Sequence, residues 1–425
     1  MNQALFDYIA ASPTPYHAVA HTAKLLEEAH YTRLLEGDEW ELEPGRGYYV
    51  TRNGSSLIAF WLPEGEFPGF MMTAAHCDSP CFKVKENAEL ADEHYVRLSA
   101  EKYGGMLCAS WMDRPLSIAG RVTIRTDDGI AVRLVDLKDT CAVIPNVAIH
   151  MNRTANDGMK YNAAVDMLPL YSTKNEKGAL RQRVARCAGV EEGDVLTTDL
   201  FVYNPQRGEE WGGFISAPRL DDLQCAFSGL TAFLAAKSSE SVPVYCLFDN
   251  EEVGSQTKQG AASTFLSDVL HRISGPDEER YRRRVANSFL VSCDNAHAVH
   301  PNHPEYMDKN HAVYLNGGVV IKYNANQKYT SDAVSAAIFR LVCDGAGVPV
   351  QQYANRADMP GGSTLGNIAN TQVSLNTVDI GLPQLAMHSA YETAGAEDTA
   401  HLVRALTAFY EKTLWADGAE GYRLT

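Results

Sequence analysis

The chain has 425 residues, 45% hydrophobic and 21% charged, with 37 Lys and Arg against 53 Asp and Glu, giving a formal net charge of −16. This is ordinary globular composition and excludes a disordered or fibrous chain; the length exceeds what one core usually supports, so two domains are expected. The acidic balance argues against nucleic acid as a partner, since phosphate binding needs a basic stripe, and no run approaches the roughly 18 apolar residues of a membrane helix.

In chain order, ALFDYIAAS and YHAVAHTAKLLEEAHY carry apolar residues at helical spacing. SSLIAFWL and PGFMMTAAH read as strands. From about Cys81 to Gly212 the pattern changes to short alternating β runs: YVRLSAEKY, IAGRVTIR, IAVRLVDL and DVLTTDLFVYN. Asp127-Asp128-Gly129 is a hairpin turn between two of them. Only the polar stretch around 176–189 is helix-like there. After Gly212 helices and strands alternate. DDLQCAFSGLTAFLAAKSS, GAASTFLSDVLHRI, SDAVSAAIFRLVCDGAG and AEDTAHLVRALTAFYEKTLW read as helices, the third capped by Thr330 or Ser331 with Gly345 near its end. VPVYCLF and NSFLVSCD read as buried strands. The expected fold is α/β: a mixed, largely parallel sheet flanked by helices, split in sequence as 1–81 and 213–425, with a β-rich domain inserted at 82–212.

The nine cysteines are scattered, without a CxxC pair, and most sit in apolar surroundings. They suit free thiols in a reducing compartment. The N-terminus has no basic n-region and carries Asp7 early, unlike a secretory signal. A cytoplasmic location is expected.

Five positions stand out by placement. His76 and Asp78 follow GFMMTAA. Asp221 lies in PRLDDL at the turn before a helix. Glu251 and Glu252 follow VPVYCLF, Asp294 follows SFLVSC, and His388 follows QLAM. Four of the five end an apolar strand and Asp221 opens a helix. Ligands of α/β sheets bind outside the carboxyl ends of the strands, so one sheet is expected to bring all five to one crevice. Two His and several carboxylates suit Zn²⁺, Mn²⁺ or Co²⁺. Two such ions can share a carboxylate, and a leftover Glu can act as general base on the water between them. Neighbouring residues point in different directions, so one of Glu251 and Glu252 can bind metal while the other faces substrate. A carboxylate two residues from a metal-bound His can fix its tautomer.

AAHCDSP, APRLDDL, DNEEVGS, CDNAHAVHPNH, GGVVIKYNANQKY and PQLAMHSAYETAG closely resemble the aspartyl aminopeptidase family of dinuclear zinc peptidases. The resemblance runs from SPTPYHAVA to the last helix and includes SWMDRPLSIAGRV and NVAIHMNRTANDG. It implies a catalytic α/β domain, a β-rich dimerisation domain, a tetrahedral dodecamer, and removal of N-terminal acidic residues from peptides with a free N-terminus. Position by position, it implies that His76 and Asp294 hold one metal, that Glu252 and His388 hold the other, and that Asp221 bridges them. Glu251 would be the base and Asp78 the orienter of His76. Asp222 stands where the family more often has Asn; Asp221 is kept as the bridge because the motif aligns on Arg-Leu-Asp. The resemblance further implies substrate contacts from Lys322, whose ammonium would meet the acidic side chain, from His297, and from His150, which would reach a neighbouring subunit's site. Read without the resemblance, Lys322 is an exposed strand-end Lys, His297 a turn residue and His150 a surface His. A deacylase on the same metal scaffold and a non-catalytic assembly with a relict site are the competing functions. The first would need an acylated amine, and the second should have lost ligands that this chain retains.

Overall fold

The computed structural model describes residues 1–173, 178–237 and 239–425. Its largest sheet has nine strands. In spatial order they are Thr32–Leu34, Gly47–Arg52, Ser56–Trp61, Val242–Phe248, Phe70–His76, Phe289–Cys293, Asn376–Gly381, Val319–Tyr323 and Val350–Ala354. The middle strands Val242–Phe248, Phe70–His76, Phe289–Cys293 and Asn376–Gly381 run parallel, while Ser56–Trp61 and Val319–Tyr323 flank them antiparallel. The sheet is buried on both faces. Met71 and Ala75 of strand Phe70–His76 pack with Leu5, Leu26, Leu230 and Phe409 on one side. Phe70, Met72 and Ala74 pack with Phe265, Val269 and Leu270 on the other. That is why these central strands read as unbroken apolar runs.

A second sheet of six antiparallel strands runs Gly129–Asp136, Ser117–Thr126, Val195–Tyr203, Cys81–Ala91, Val96–Tyr103, Leu170–Ser172 and has its own core around Leu98, Ile118, Val122 and Val202. Thr126 pairs with Gly129, which puts Asp127 and Asp128 at the hairpin tip as expected. A five-stranded sheet, Glu209–Trp211, Phe214–Ala217, Glu392–Gly395, Pro383–Leu385, Ala296–His297, lies beside the first. The protein is thus mixed α/β, with several multi-stranded sheets flanked by helices. No helix among the described residues is long and apolar enough to cross a membrane, and all nine cysteines are free thiols, six of them buried.

The structure corrects several local expectations. The helix Ala333–Gly345 is capped by Asp332 in a reciprocal capping box with Ser335, not by Thr330 or Ser331; a carboxylate beats a hydroxyl one place further back because it faces the N3 amide directly. The last helix ends at Tyr410, and Leu414–Asp417 pairs as a hairpin with Gly421–Leu424. The helix Phe265–Ser274 starts later than expected. In the polar stretch the helix spans Ala179–Ala188; Glu176 and Lys177, like Ser238 near the end of another expected helix, lie outside the described residues.

Candidate metal centre

Three parallel neighbours end at one edge of the large sheet and deliver side chains there. His76 is the last residue of Phe70–His76 and pairs with Phe248 of the adjacent strand. The chain leaving Phe248 turns through Asn250, whose φ of +61° is left-handed, a conformation Asn tolerates well. The Asn250 amide oxygen accepts from Thr257 and Gln259. The short helical turn Glu251–Val253 follows. On the other side, Asp294 follows Phe289–Cys293.

Asp221 and His388 come from elsewhere, which corrects the one-sheet expectation. Asp221 follows strand Phe214–Ala217, and His388 precedes strand Glu392–Gly395; these are paired strands of the five-stranded sheet. A single residue, Leu382, separates Asn376–Gly381 in the first sheet from Pro383–Leu385 in the second. The apolar run continues through the bend, so hydrophobicity carries no sign of the change of sheet.

The five residues converge. Ligand-capable atoms of His76, Asp221 and Asp294 lie within 4.8 Å of one another, as do those of Asp221, Glu252 and His388. Asp221 belongs to both groups. Its Oδ1 faces His76 Nε2 at 3.4 Å and its Oδ2 faces His388 Nε2 at 3.4 Å. Glu252 Oε1 faces the same His388 nitrogen at 3.4 Å. These separations exceed a normal N–H···O bond, and Asp221 Oδ1 and Glu252 Oε1 are buried without a hydrogen-bond partner. Buried carboxylate oxygens are normally satisfied. Here they and the imidazoles surround common points without bonding to one another. A third group joins Glu251 to His76 and Glu252.

Both imidazoles are held by their outer nitrogens. His76 Nδ1–H donates to the Asp78 carbonyl at 3.0 Å and lies 3.4 Å from Asp78 Oδ1. His388 Nδ1–H donates to the Gly105 carbonyl at 2.5 Å. A carbonyl only accepts, so the proton belongs on Nδ1 and the neutral ring offers its Nε2 lone pair inward. Imidazole and carboxylate are the donor set of Zn²⁺, and the residues fit such a cation. Burial disfavours charge on His76, but Asp221 and Asp78 outweigh it and raise its pKa. Burial likewise acts against charge on His388, and Asp221 and Glu252 pull it up to about 10. The Asp221 carboxyl, despite burial, is held well below the usual range by His388 and His76. Burial pushes Glu251 up to about 8, with Asp294, Asp78 and Asp221 adding to the effect against His76.

Asp78 is buried and ties the parts together. Its two oxygens accept the backbone N–H groups of Glu251 and Glu252, each at 3.1 Å. Tyr103 O–H donates to it at 2.7 Å and itself accepts from Asn250 at 2.8 Å. Asp222 is in none of the three donor groups; its Oδ2 accepts the backbone N–H of His76 at 3.2 Å. Lys322 is 2% exposed. Its ammonium donates to the carbonyls of Asp294 at 2.7 Å and Asn295 at 3.4 Å, and lies 3.9 Å from Asp294 Oδ2. His297 is exposed in this chain with its ring against Tyr353; crowding of the ring by surrounding protein and the Lys322 charge lower its pKa. His150 is exposed on the long loop 145–169 and does not join the cluster within this chain.

Three contributors were not picked out in the sequence: Tyr103, the Gly105 carbonyl and Glu392. The first two lie at and just beyond the end of strand Val96–Tyr103 of the six-stranded sheet. Glu392 lies four residues after His388, a spacing that carries a signal only once the turn between them is known.

A histidine–carboxylate cluster at the carboxyl edge of a mixed α/β sheet is the arrangement of a metal-dependent hydrolase. The chain belongs to the M18 aminopeptidase family: the family model described as aminopeptidase I zinc metalloprotease (M18) matches residues 8–410. It is 46% identical over 421 residues to a probable M18 family aminopeptidase 2 of Pseudomonas paraeruginosa, covering 96% of this chain and 98% of the relative. Among solved structures it is similar to a chain of the cryo-EM structure of the Ape4 and Nbr1 complex, with TM-score 0.93, 33% identity and coverage of 96% and 85%. It is also similar to the S. cerevisiae mApe1 dodecamer, with TM-score 0.85, 29% identity and 96% of each chain covered.

Proposed function

We propose that the protein is a dinuclear metalloaminopeptidase that removes N-terminal residues, preferably Asp and Glu, from peptides with a free amino terminus. The observation that carries this reading is Asp221, whose two oxygens face two different imidazoles from within two overlapping donor groups. On this reading His76 and Asp294 hold one ion, Glu252 and His388 the other, and Asp221 is shared. Zn²⁺ is the ion the family description favours, with Mn²⁺ and Co²⁺ suited to the same donors. When bound, such ions polarise a carbonyl and make nearby water more acidic.

The remaining work belongs to the side chains. Glu251 takes the proton of the attacking water and passes it to the leaving amine. Burial opposes its ionised form, and His76 favours it. Asp78 keeps His76 in one tautomer and pins the turn that separates Glu251 from Glu252. His297 contacts the substrate. Lys322 has three N–H donors and gives two to backbone carbonyls, with Asp294 Oδ2 3.9 Å away; on this reading its charge meets an acidic side chain of the substrate. The segments 1–81 and 213–425 form the catalytic domain and 82–212 the dimerisation domain. His150 reaches a neighbouring subunit in a tetrahedral dodecamer, and the dodecameric yeast relative supports an assembly of that size.

The test is metal analysis beside a panel of aminoacyl substrates, free and N-acetylated. Chelation should abolish hydrolysis, Zn²⁺, Mn²⁺ or Co²⁺ should restore it, and His388→Ala should lose one metal equivalent. Full activity after exhaustive chelation, or preference for the acetylated substrates, would sink the reading.

A further inference from the structure

Glu392 opens the strand Glu392–Gly395 and stands opposite Ala217 in the antiparallel register with Phe214–Ala217. Two segments diverge from this point. One leaves Ala217 and enters the helix Leu220–Ala235, which carries Asp221 in its first turn. The other arrives from His388. The Glu392 side chain fills the gap between them and is 1% exposed. Its Oε1 accepts the backbone N–H of His388 at 2.7 Å, and its Oε2 accepts the backbone N–H of Asp221 at 3.1 Å.

Each of those N–H groups would be hard to satisfy otherwise. Asp221 has non-helical backbone angles (φ −83°, ψ 107°) at a kink ahead of the regular helix, so no helical turn supplies its N–H with a carbonyl, and Arg219 before it makes no side-chain cap bond. His388 has a φ of +65°, a conformation a non-glycine residue keeps only when its surroundings hold it. The Glu392 carboxylate holds it on one side, and Leu107 N–H, which donates to the His388 carbonyl at 3.0 Å, holds it on the other.

We propose that Glu392 is a positioning residue: a buried carboxylate clamp that fixes the backbones of Asp221 and His388 relative to each other and thereby sets the affinity of the site for its second cation. The inference rests on the dinuclear reading above. The chemistry of the clamp is specific. A carboxylate presents two coplanar acceptors and no donor, so one group can bind two N–H donors on separate segments. A Gln in the same place has one acceptor and a donor with nothing to receive it. Both bonds go to main chain. They therefore set where the two residues stand, leaving ring orientation to the Gly105 carbonyl.

The experiment is chelator competition on full-length, Zn²⁺-loaded protein, with the melting temperature of the metal-free form measured alongside. In the Glu392→Gln variant we expect one zinc equivalent to bind at least 10-fold more weakly, within the 10–100-fold range typical of groups that support ligands, with metal-free melting unchanged. Glu392→Ala, which loses both bonds, should weaken it further. Unchanged zinc affinity in Glu392→Gln overturns the clamp. So does a Gln variant that fails to fold, or one whose weaker binding merely follows a lower melting temperature of the metal-free form, because either assigns Glu392 to the fold alone. A parent that binds fewer than two equivalents overturns the dinuclear reading itself, an outcome distinct from two tight equivalents in both parent and variant.

Discussion

At the residue scale, Glu251 and Glu252 share a turn whose two amides rest on the oxygens of Asp78, yet their carboxylates have different surroundings. Glu252 joins Asp221 around His388, whereas Glu251 appears only in the group with His76 and Glu252. Glu251→Gln should therefore retain both metals and lower kcat by about 10²–10⁴, the usual contribution of a general base. Metal analysis of that variant checks the assignment, and loss of one equivalent would exchange the roles of the two residues. Lys322 poses a sharper alternative, because the same ammonium supports Asp294 from behind. If its charge meets substrate, Lys322→Leu should cost about 2–4 kcal/mol in kcat/KM on Asp and Glu substrates, comparable to breaking a buried charged pair, and much less on Leu and Ala substrates. An equal loss on all four would leave Lys322 as a support for Asp294 only. His76, Asp78, Glu251, Glu252 and Asp294 were legible in the sequence because each follows an apolar run that ends at the same sheet edge. Glu392 was not, since a Glu in AYETAG reads as a solvated strand residue until the strand Phe214–Ala217 covers it.

Elements show a different division. The fully buried strands and amphipathic helices carry their own periodicity and were readable. The helix Glu278–Ala286 was not, because EERYRRRVA buries only Tyr281 and Arg284 and has no apolar stripe. The function of the strand end Tyr103–Gly105 was equally hidden: nothing in EKYGGM announces that it braces a site built by residues far away in sequence. It does so at two points, through Tyr103 on Asp78 and the Gly105 carbonyl on His388. Gly104 between them has φ +73°, which favours glycine, and a Cβ there would sit tightly, 3.1 Å from Glu252 Cβ. The six-stranded sheet therefore contacts the candidate site directly, through Tyr103 and the Gly105 carbonyl. Tyr103→Phe removes the hydroxyl that Asp78 and Asn250 share and should lower kcat roughly 10–100-fold, as loss of a ligand-supporting group typically does. Steady-state kinetics with metal content held equal to the parent measures it; an unchanged kcat would confine Tyr103 to packing.

At the scale of the whole molecule, the six-stranded sheet ends in the strand Gly129–Asp136, whose Ile130, Val132 and Leu134 are 65%, 49% and 38% exposed. Alternate residues share a face, so this edge shows water an apolar row of the kind that isolated proteins blunt with charge. The loop 145–169 adds exposed Val147, Ile149, Met151 and Val165 around His150. Such surface suits burial against another copy; if His150 reaches a neighbouring subunit as proposed, assembly and activity are coupled. Replacing Ile130 and Val132 by Glu alters only outward-facing positions, where substitutions usually cost little folding stability. Light scattering should show a smaller species than the parent, and hydrolysis should fall with it; a fully active monomer would refute the shared site. Complementation then separates assembly from chemistry. His150→Ala and Glu251→Gln should each be inactive alone but assembled. Co-expressed, they form mixed assemblies in which a chain with intact Glu251 sits beside one with intact His150, and partial activity should return. If His150 acts within its own chain, no such site is rebuilt and the mixture stays inactive.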